Sequence, residues 1–180
     1  VGWRVISHGL DNGDGGGNSA NGVLESGEID SFITYCTYIS LVNSANPTYF
    51  TAVGNTVYFR ATDEINGAEL WKSDGTASGT VLVKDIKSGR GLSSNPAVLK
   101  AVGNTLYFTA TDEINGTELW KSDGTTAGTV MVKDINNGSG SGTPSYLTAV
   151  GNTLYFTAND GTNGTELWKS DGTTAGTVMV

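Results

Sequence analysis

The chain is poor in the residues that most nucleophilic active sites require. Its 180 residues include one histidine, His8, and one cysteine, Cys36. A nucleophilic triad needs a positioned base, usually a histidine, and we expect His8 to be a surface or packing residue. Cys36 is either an inert thiol or the partner of a cysteine outside this sequence. These shortages argue against a hydrolase that works through a catalytic histidine.

Positive charge and long apolar runs are also scarce. The chain has 10 Lys and Arg against 18 Asp and Glu, so its net charge is -8. Nucleic acids and anionic membrane surfaces bind Lys/Arg-rich proteins, so neither is an expected partner. No apolar run approaches the ~18 residues of a membrane span, and we expect no membrane insertion. The 26 glycines favour a fold with many tight turns over a helical one.

What the chain does have is a repeat. The motif ELWKSDGT occurs at Glu69–Thr76, Glu118–Thr125 and Glu166–Thr173, so successive copies begin 49 and 48 residues apart. A period in this range is typical of solenoids, propellers and arrays of one supersecondary unit. Such a unit cannot bury its apolar surface alone and depends on its neighbours.

Each repeat contains four predicted strands. In the first repeat they are Tyr49–Val53, Val57–Thr62, Ala68–Ser73 and Thr80–Ile86, and they are rich in β-branched and aromatic residues. Gly-Asn and Asp-Gly pairs between them indicate hairpin turns. A proline precedes each first strand, at a position that a sheet tolerates. The repeats therefore span residues 47–95, 96–143 and 144–180.

Apolar residues occur side by side within these strands. Tyr58 is followed by Phe59, and Leu70 by Trp71. Neighbouring residues of a strand point to opposite faces, so both faces of each sheet must be covered. This pattern predicts an all-β fold of four-stranded β-propeller-type blades, which pack face to face. A β-solenoid is the alternative, although its coils are usually shorter.

Three blades are fewer than the four to eight with which propellers typically close. We therefore expect further blades outside this sequence, or blades from several chains that assemble together. Because the third repeat stops at Val180, within its last strand, we expect the chain to be part of a longer protein. The segment Thr34–Val42 occupies the place of a fourth strand and could complete a blade by pairing with an open sheet edge.

The motif ELWKSDGT resembles the ELWxxDGT repeat family, found in large secreted or surface proteins of bacteria. The resemblance covers roughly Pro47 to Val180 and depends on eight residues that recur unchanged in three copies. It implies a propeller-like fold and an extracellular or cell-surface location. It implies no established enzymatic activity.

Residues 1–46 are predicted to form a separate small module. Its segment NGVLESGEI, Asn21–Ile29, resembles the second half of the calcium loop of dockerins and EF-hand-like modules. Such loops have a glycine at position six and a carboxylate at position twelve. With Gly22 at position six, Glu25 and Glu28 take positions nine and twelve.

The first half of this calcium loop departs from the pattern, because Gly17 and Ser19 stand at positions one and three. Acidic residues just upstream could supply the missing oxygens. The resemblance thus implies a Ca²⁺ site with six candidate ligands: Asp11, Asp14, Asn18, Asn21, Glu25 and Glu28. The alternative is a metal-free loop closed by its own side-chain hydrogen bonds.

The repeats carry further candidate residues, each with two interpretations. The motif aspartates close their own turns or bind metal, and we prefer the turns; they are Asp74, Asp123 and Asp171. The acidic loops are solvated or form weak calcium sites; they contain Asp63, Glu64 and Asn66, Asp112, Glu113 and Asn115, and Asp160 and Asn163.

The motif tryptophans and lysines are also open to interpretation. The tryptophans are core residues or a carbohydrate-stacking row, and we prefer the core; they are Trp71, Trp120 and Trp168. The lysines that follow are predicted to line a solvent edge; they are Lys72, Lys121 and Lys169.

Together these patterns predict a non-catalytic, extracellular structural or adhesive repeat protein. The acidic residues recur in register, whereas a catalytic centre normally breaks a repeat. Expected partners are further copies of the chain, or other surface proteins or glycans, bound through repeated β-blades as in a filament or surface layer. The alternatives are a glycan- or protein-binding fragment of a larger closed propeller and a fragment of a propeller hydrolase or lyase.

Overall fold

The structure is a computed structural model that describes residues 45–180. The six candidate calcium ligands between Asp11 and Glu28 lie outside the described residues. The same holds for His8, Cys36 and the segment Thr34–Val42. The calcium-loop module therefore stays a prediction.

Residues 45–180 contain strands and turns, and no α-helix. Twelve strands occur in this part of the chain. They are β1 (Thr48–Val53), β2 (Thr56–Asp63), β3 (Gly67–Ser73), β4 (Val81–Lys84), β5 (Ala97–Val102), β6 (Thr105–Thr111), β7 (Thr117–Ser122), β8 (Val130–Lys133), β9 (Ser145–Val150), β10 (Thr153–Asn159), β11 (Thr165–Ser170) and β12 (Val178–Met179). In these residues there is accordingly no helix long and apolar enough to cross a membrane.

The strands form three antiparallel sheets of four strands each, one for each repeat. We call them sheet A (β1-β2-β3-β4), sheet B (β5-β6-β7-β8) and sheet C (β9-β10-β11-β12). The first strands of successive sheets contact one another, β1 with β5 and β5 with β9. The prediction of an all-β fold built from four-stranded repeats is confirmed.

Tight turns join the strands because glycine stands where the backbone needs a positive φ. The pairing of Val53 with Thr56 leaves a two-residue turn between β1 and β2. The first residue of that turn, Gly54, has φ 58°, which glycine adopts without the steric cost of a Cβ. The hairpin turn predicted at Gly54-Asn55 is thus confirmed, whereas the Asp-Gly pair of Asp74 and Gly75 lies in a longer, seven-residue connection between β3 and β4.

Two apolar clusters lie between the sheets and bury their facing sides. The cluster between sheets A and B contains Tyr58, Leu70 and Val83 from A, packed against Phe108 and Trp120 from B. We call the side of sheet A that carries Tyr58, Leu70 and Val83 its forward face, and the equivalent side of sheets B and C has the same name. The opposite side of each sheet is its rear face.

The second cluster repeats this contact between sheets B and C. Here the forward face of B supplies Tyr107, Leu119 and Val132, and the rear face of C supplies Phe156 and Trp168. Sheet B is therefore covered on both faces: Leu119 is 0% exposed on one and Trp120 is 6% exposed on the other. The prediction that each sheet needs neighbours on both sides is confirmed for this sheet.

Candidate functional site

The turn after each motif strand is closed by its aspartate. In sheet A, Asp74 Oδ1 accepts hydrogen bonds from the backbone N–H of Thr76 at 2.9 Å and from its hydroxyl at 2.7 Å. These bonds lower the pKa of Asp74 below its ordinary value. A Cβ at Gly79 would lie 1.9 Å from the Asp74 carboxylate, so only glycine fits there.

The same turn closes with Asp123 in sheet B and Asp171 in sheet C. The turn-closing interpretation of these aspartates is confirmed. The three turns, residues 74–80, 123–129 and 171–177, are called the DGT turns below.

Lysines of one sheet reach the DGT turn of the next. Lys72 Nζ donates to the carbonyl oxygen of Gly124 at 2.8 Å, and Lys121 Nζ donates to that of Gly172 at 2.8 Å. The prediction that these lysines line a solvent edge is therefore wrong for Lys72 and Lys121. Stacking of the sheets brings a carbonyl from about fifty residues away within reach of each ammonium group.

A second row of hydrogen bonds follows the last strand of each sheet. Lys84 Nζ donates to the Thr129 carbonyl at 2.8 Å, and Thr126 Oγ1 donates to the Val83 carbonyl at 2.9 Å. The same two bonds join sheets B and C. Lys133 Nζ donates to the Thr177 carbonyl, and Thr174 Oγ1 donates to the Val132 carbonyl. Each sheet therefore holds the next through the same set of polar contacts around the apolar cluster.

A tyrosine covers the glycine of each enclosed DGT turn. A Cβ at Gly124 would lie 2.3 Å from Tyr58 Oη, and one at Gly172 would lie 2.4 Å from Tyr107 Oη. Desolvation, together with the nearby Asp123 carboxylate, raises the pKa of Tyr58. The close approach explains why the second residue of each enclosed DGT turn has no side chain.

The motif glutamate binds the linker that leads to the next sheet. Glu118 is 0% exposed, and its carboxylate accepts N–H bonds from Gly142 at 2.6 Å, Ile135 at 3.1 Å and Asn136 at 3.4 Å. Glu69 does the same in sheet A with Ser94 and Ile86. Sequence analysis missed this role. The signal that could have revealed it was a glutamate that recurs in all three motifs, within a strand expected to be covered on both faces.

Burial of Glu118 makes the stability of the chain depend on pH. Desolvation raises its pKa from 4.5 to about 7, although the three N–H donors oppose the shift. The folded chain thus holds this proton more tightly than the unfolded chain. The resulting stability is complete below pH 4.5 and is lost as the pH rises through about 7.

We expect the free energy of unfolding to fall by about 2 kcal/mol between about pH 5 and about pH 8. Urea denaturation at several pH values measures this change. The variant Glu118→Gln has no proton to lose and should flatten part of the dependence. Glu69, whose pKa is also raised, should account for the remainder. An unchanged slope in a Glu69→Gln, Glu118→Gln double variant would contradict this assignment.

Among the described residues, no sheet covers the forward face of sheet C as B covers A and C covers B. Leu70 and Leu119 are 0% exposed, whereas Leu167, at the same position in sheet C, is 47% exposed. Lys169, on the same face as Leu167, is exposed, whereas Lys72 and Lys121 are half-buried. This face therefore presents one uncovered copy of a surface that is covered twice elsewhere in the chain.

Within residues 45–180, no other sheet covers the DGT turn of sheet A. Gly75 and Thr80 are exposed, whereas Gly124, Gly172 and their partner threonines are buried. In the same sheet, Phe50 stacks on Phe59 with ring centroids 5.5 Å apart, and Trp71 is half-buried. Together, this turn and the forward face of sheet C form the candidate interaction site.

The acidic loops close on themselves. Asp63 Oδ1 accepts N–H bonds from Ile65 and Asn66, and Asp63 Oδ2 accepts one from the Asn66 amide at 2.8 Å. Asp112 and Asp160 make the corresponding bonds in the next repeats. Within residues 45–180, no group of three or more His, Cys, Asp or Glu side chains is placed to hold a metal ion.

Two of the three motif tryptophans are core residues. Trp120 and Trp168 are each 6% exposed, and Trp168 Nε1 donates to the Ala158 carbonyl at 3.1 Å. Trp71 is half-buried. The core interpretation is confirmed for Trp120 and Trp168, which are not available for stacking on a carbohydrate.

Comparison with known proteins adds no assignment to this geometry. No protein-family model matches the chain, and no curated protein matches it.

Proposed function

We propose that this chain is a non-catalytic structural repeat protein of the extracellular space or cell surface. Its sheets act as propeller-type blades that join further sheets through the open ends of the stack. One observation carries the proposal: the leucine of the forward face is 0% exposed in sheets A and B and 47% exposed in sheet C. A surface that is buried twice in the chain is left free once.

The open forward face has the composition of an interaction surface. Val150, Leu167 and Val180 are 59%, 47% and 68% exposed, and Lys169 stands beside them. Contiguous exposed apolar residues with a polar rim mark sites of protein association. Each Å² of apolar surface covered there contributes about 25 cal/mol. Joining a matching sheet face would therefore stabilise both partners.

The structural role, the location and the adhesive function are supported by other observations. The motif aspartates and the two buried glutamates are engaged in turns and linkers, which supports a structural role for them. The ELWxxDGT-like motif supports a secreted or surface location. Repeated faces suit adhesive assembly, because many weak contacts together give avidity.

Sedimentation velocity over a range of chain concentrations tests the proposal. We expect the wild-type chain to associate and Leu167→Arg to weaken this association by about tenfold or more, because an arginine would stand in the apolar contact. Val178→Arg is the matched control. Val178 is 37% exposed, as are its counterparts Val81 and Val130 at 38% and 37%, so no sheet-to-sheet contact covers this position.

A chain that sediments as a monomer, with no difference between the two arginine variants, would contradict self-assembly. Surface proteins or glycans would then be the partners to test, with the same two variants.

A closed propeller, of which this chain is a fragment, is the second candidate. It is favoured by the succession of contacts β1 to β5 to β9, because the first strands of propeller blades surround a common axis. In that case a chain extended by further repeats should become more stable and stop associating. Urea denaturation and sedimentation of the extended chain separate the two candidates.

A further inference from the structure

We propose that Asn137, in the linker between sheets B and C, is a site of covalent modification by the chain itself. The side-chain amide of Asn137 reacts with the backbone nitrogen of Gly138, and Asp134 accepts the proton that this nitrogen loses. The product is a succinimide ring, which water opens to aspartate or isoaspartate. All three groups belong to the linker, so the reaction does not depend on association with other chains.

Asn137 is one of several asparagines that precede a glycine, the residue that hinders such an attack least. Four of these pairs lie within residues 45–180: Asn66-Gly67, Asn115-Gly116, Asn137-Gly138 and Asn163-Gly164. In the other three pairs the asparagine belongs to an acidic loop, and its Nδ2 donates to the loop aspartate at 2.8, 2.7 and 2.7 Å. That bond opposes rotation of the amide toward the glycine nitrogen.

The Asn137 side chain lacks this restraint. It is exposed and has no hydrogen-bond partner among the described residues. No atom lies within 4 Å of a Cβ built on Gly138, whereas a Cβ on Gly67 or Gly116 would lie 2.1 Å from a linker carbonyl oxygen. The Asn137 amide can therefore turn toward the Gly138 nitrogen, and water can reach the ring that forms.

The attacking nitrogen already has a proton acceptor. The N–H of Gly138 donates to Asp134 Oδ2 at 2.9 Å, a distance at which a general base can take a proton. The other oxygen, Asp134 Oδ1, is buried and has no partner in the described part of the chain. Asp160 differs, because its carboxylate is occupied by Thr162 and by both nitrogens of Asn163.

The reaction balances within the linker. A bond forms between the Gly138 nitrogen and Asn137 Cγ, and the bond from Cγ to Nδ2 breaks. The proton of Gly138 passes by way of Asp134 Oδ2 to the departing nitrogen, which leaves as ammonia. The hydrogen bond to Asp134 lies in the peptide plane, whereas the attack uses electrons above that plane, so the bond does not block it.

The modification changes a linker that is held by a buried carboxylate. Glu118 accepts N–H bonds from Ile135, Asn136 and Gly142, on both sides of Asn137. Ring opening places a new negative charge between these groups, and isoaspartate also lengthens the backbone by one carbon. We therefore expect faster hydrogen exchange at Ile135 and Gly142 in the modified chain.

The test is incubation of the folded full chain at neutral pH, followed by mass spectrometry of its peptides and labelling by an isoaspartyl methyltransferase. Asn163 is the matched control, since both asparagines are exposed and precede an exposed glycine and a hydroxyl residue. We expect Asn137 to convert about tenfold faster than Asn163 or more. In urea the two rates should converge, because the bonds to Asp134 and Asp160 are lost.

Two variants of the linker separate the groups involved. Asp134→Asn should slow conversion at Asn137 by about tenfold or more and leave the rate at Asn163 unchanged. Asn137→Ser copies Ser88 of the first linker. It should abolish conversion in this linker, together with the change in hydrogen exchange that follows it.

A variant in the third acidic loop keeps the test decisive if Asp134→Asn does not fold, in which case both sites would show their urea rates. Asp160→Asn removes the carboxylate that binds the Asn163 amide and should raise the rate at Asn163 by about threefold or more, the effect of one lost hydrogen bond.

Three results would overturn the proposal. Equal rates at Asn137 and Asn163 in the folded chain would show that the linker does not favour the reaction. An unchanged or higher rate at Asn137 in folded Asp134→Asn would show that Asp134 is not the proton acceptor. No change at Asn163 in Asp160→Asn would show that the loop bond does not protect the other asparagines.

Discussion

Leu119→Ala should destabilise the chain by about 3 kcal/mol, whereas Leu167→Ala should cost less than about 1 kcal/mol. The two leucines occupy the same position of the motif, in β7 and β11, so strand propensity and side-chain chemistry are matched. They differ in cover: Leu119 is 0% exposed and Leu167 is 47% exposed. Removing Leu119 leaves a cavity between sheets B and C, and removing Leu167 leaves none.

Urea denaturation at a low chain concentration measures both free energies without a contribution from association. Leu70→Ala extends the comparison, because Leu70 is also 0% exposed and should resemble Leu119→Ala. Equal losses of unfolding free energy in Leu119→Ala and Leu167→Ala would show that stacking of the sheets does not determine how much this leucine stabilises the chain. The explanation that each repeat depends on its neighbours would then be wrong.

Glu118→Ala should cost about 3 kcal/mol, because it leaves three buried backbone N–H groups without their acceptor. Those groups belong to Ile135, Asn136 and Gly142, in the linker between β8 and β9. Glu166→Ala is the matched control. It removes the same side chain from an exposed position of the same motif and should change stability by less than about 0.5 kcal/mol.

Denaturation of both variants at about pH 6 gives the comparison, and hydrogen exchange of the linker amides locates the effect. We expect faster exchange at Ile135 and Gly142 in Glu118→Ala and no change there in Glu166→Ala. If linker exchange is unaltered in Glu118→Ala, the glutamate does not hold the linker, and its burial must have another cause.

Much of the fold could be predicted from the sequence because its signals are local. The strand predicted at Val57–Thr62 is observed as Thr56–Asp63, and that at Ala68–Ser73 as Gly67–Ser73. Turn glycines and apolar residues on both faces act within a few positions of one another. The covering of both faces of sheet B also follows from this pattern.

The end of the fourth strand shows where local reasoning stops. It was predicted to run from Thr80 to Ile86, but β4 spans only Val81–Lys84. The N–H of Ile86 donates to the Glu69 carboxylate instead of a neighbouring strand. The Glu69 carboxylate, from β3, therefore competes as an acceptor and ends the hydrogen-bond ladder of β4. Nothing in the composition of residues 80–86 predicts this.

The sequence by itself determined the repeat, its strands, its turns and the need for a neighbour on each face, because these depend on residue type and on spacings of a few residues. Only the tertiary structure decided which groups meet across the sheets. The bond from Lys72 to Gly124 joins residues 52 positions apart, and the exposure of Leu167 depends on whether another sheet stands beside it. Contacts between distant segments follow from how the sheets stack, and the sequence pattern of any one repeat does not contain that arrangement.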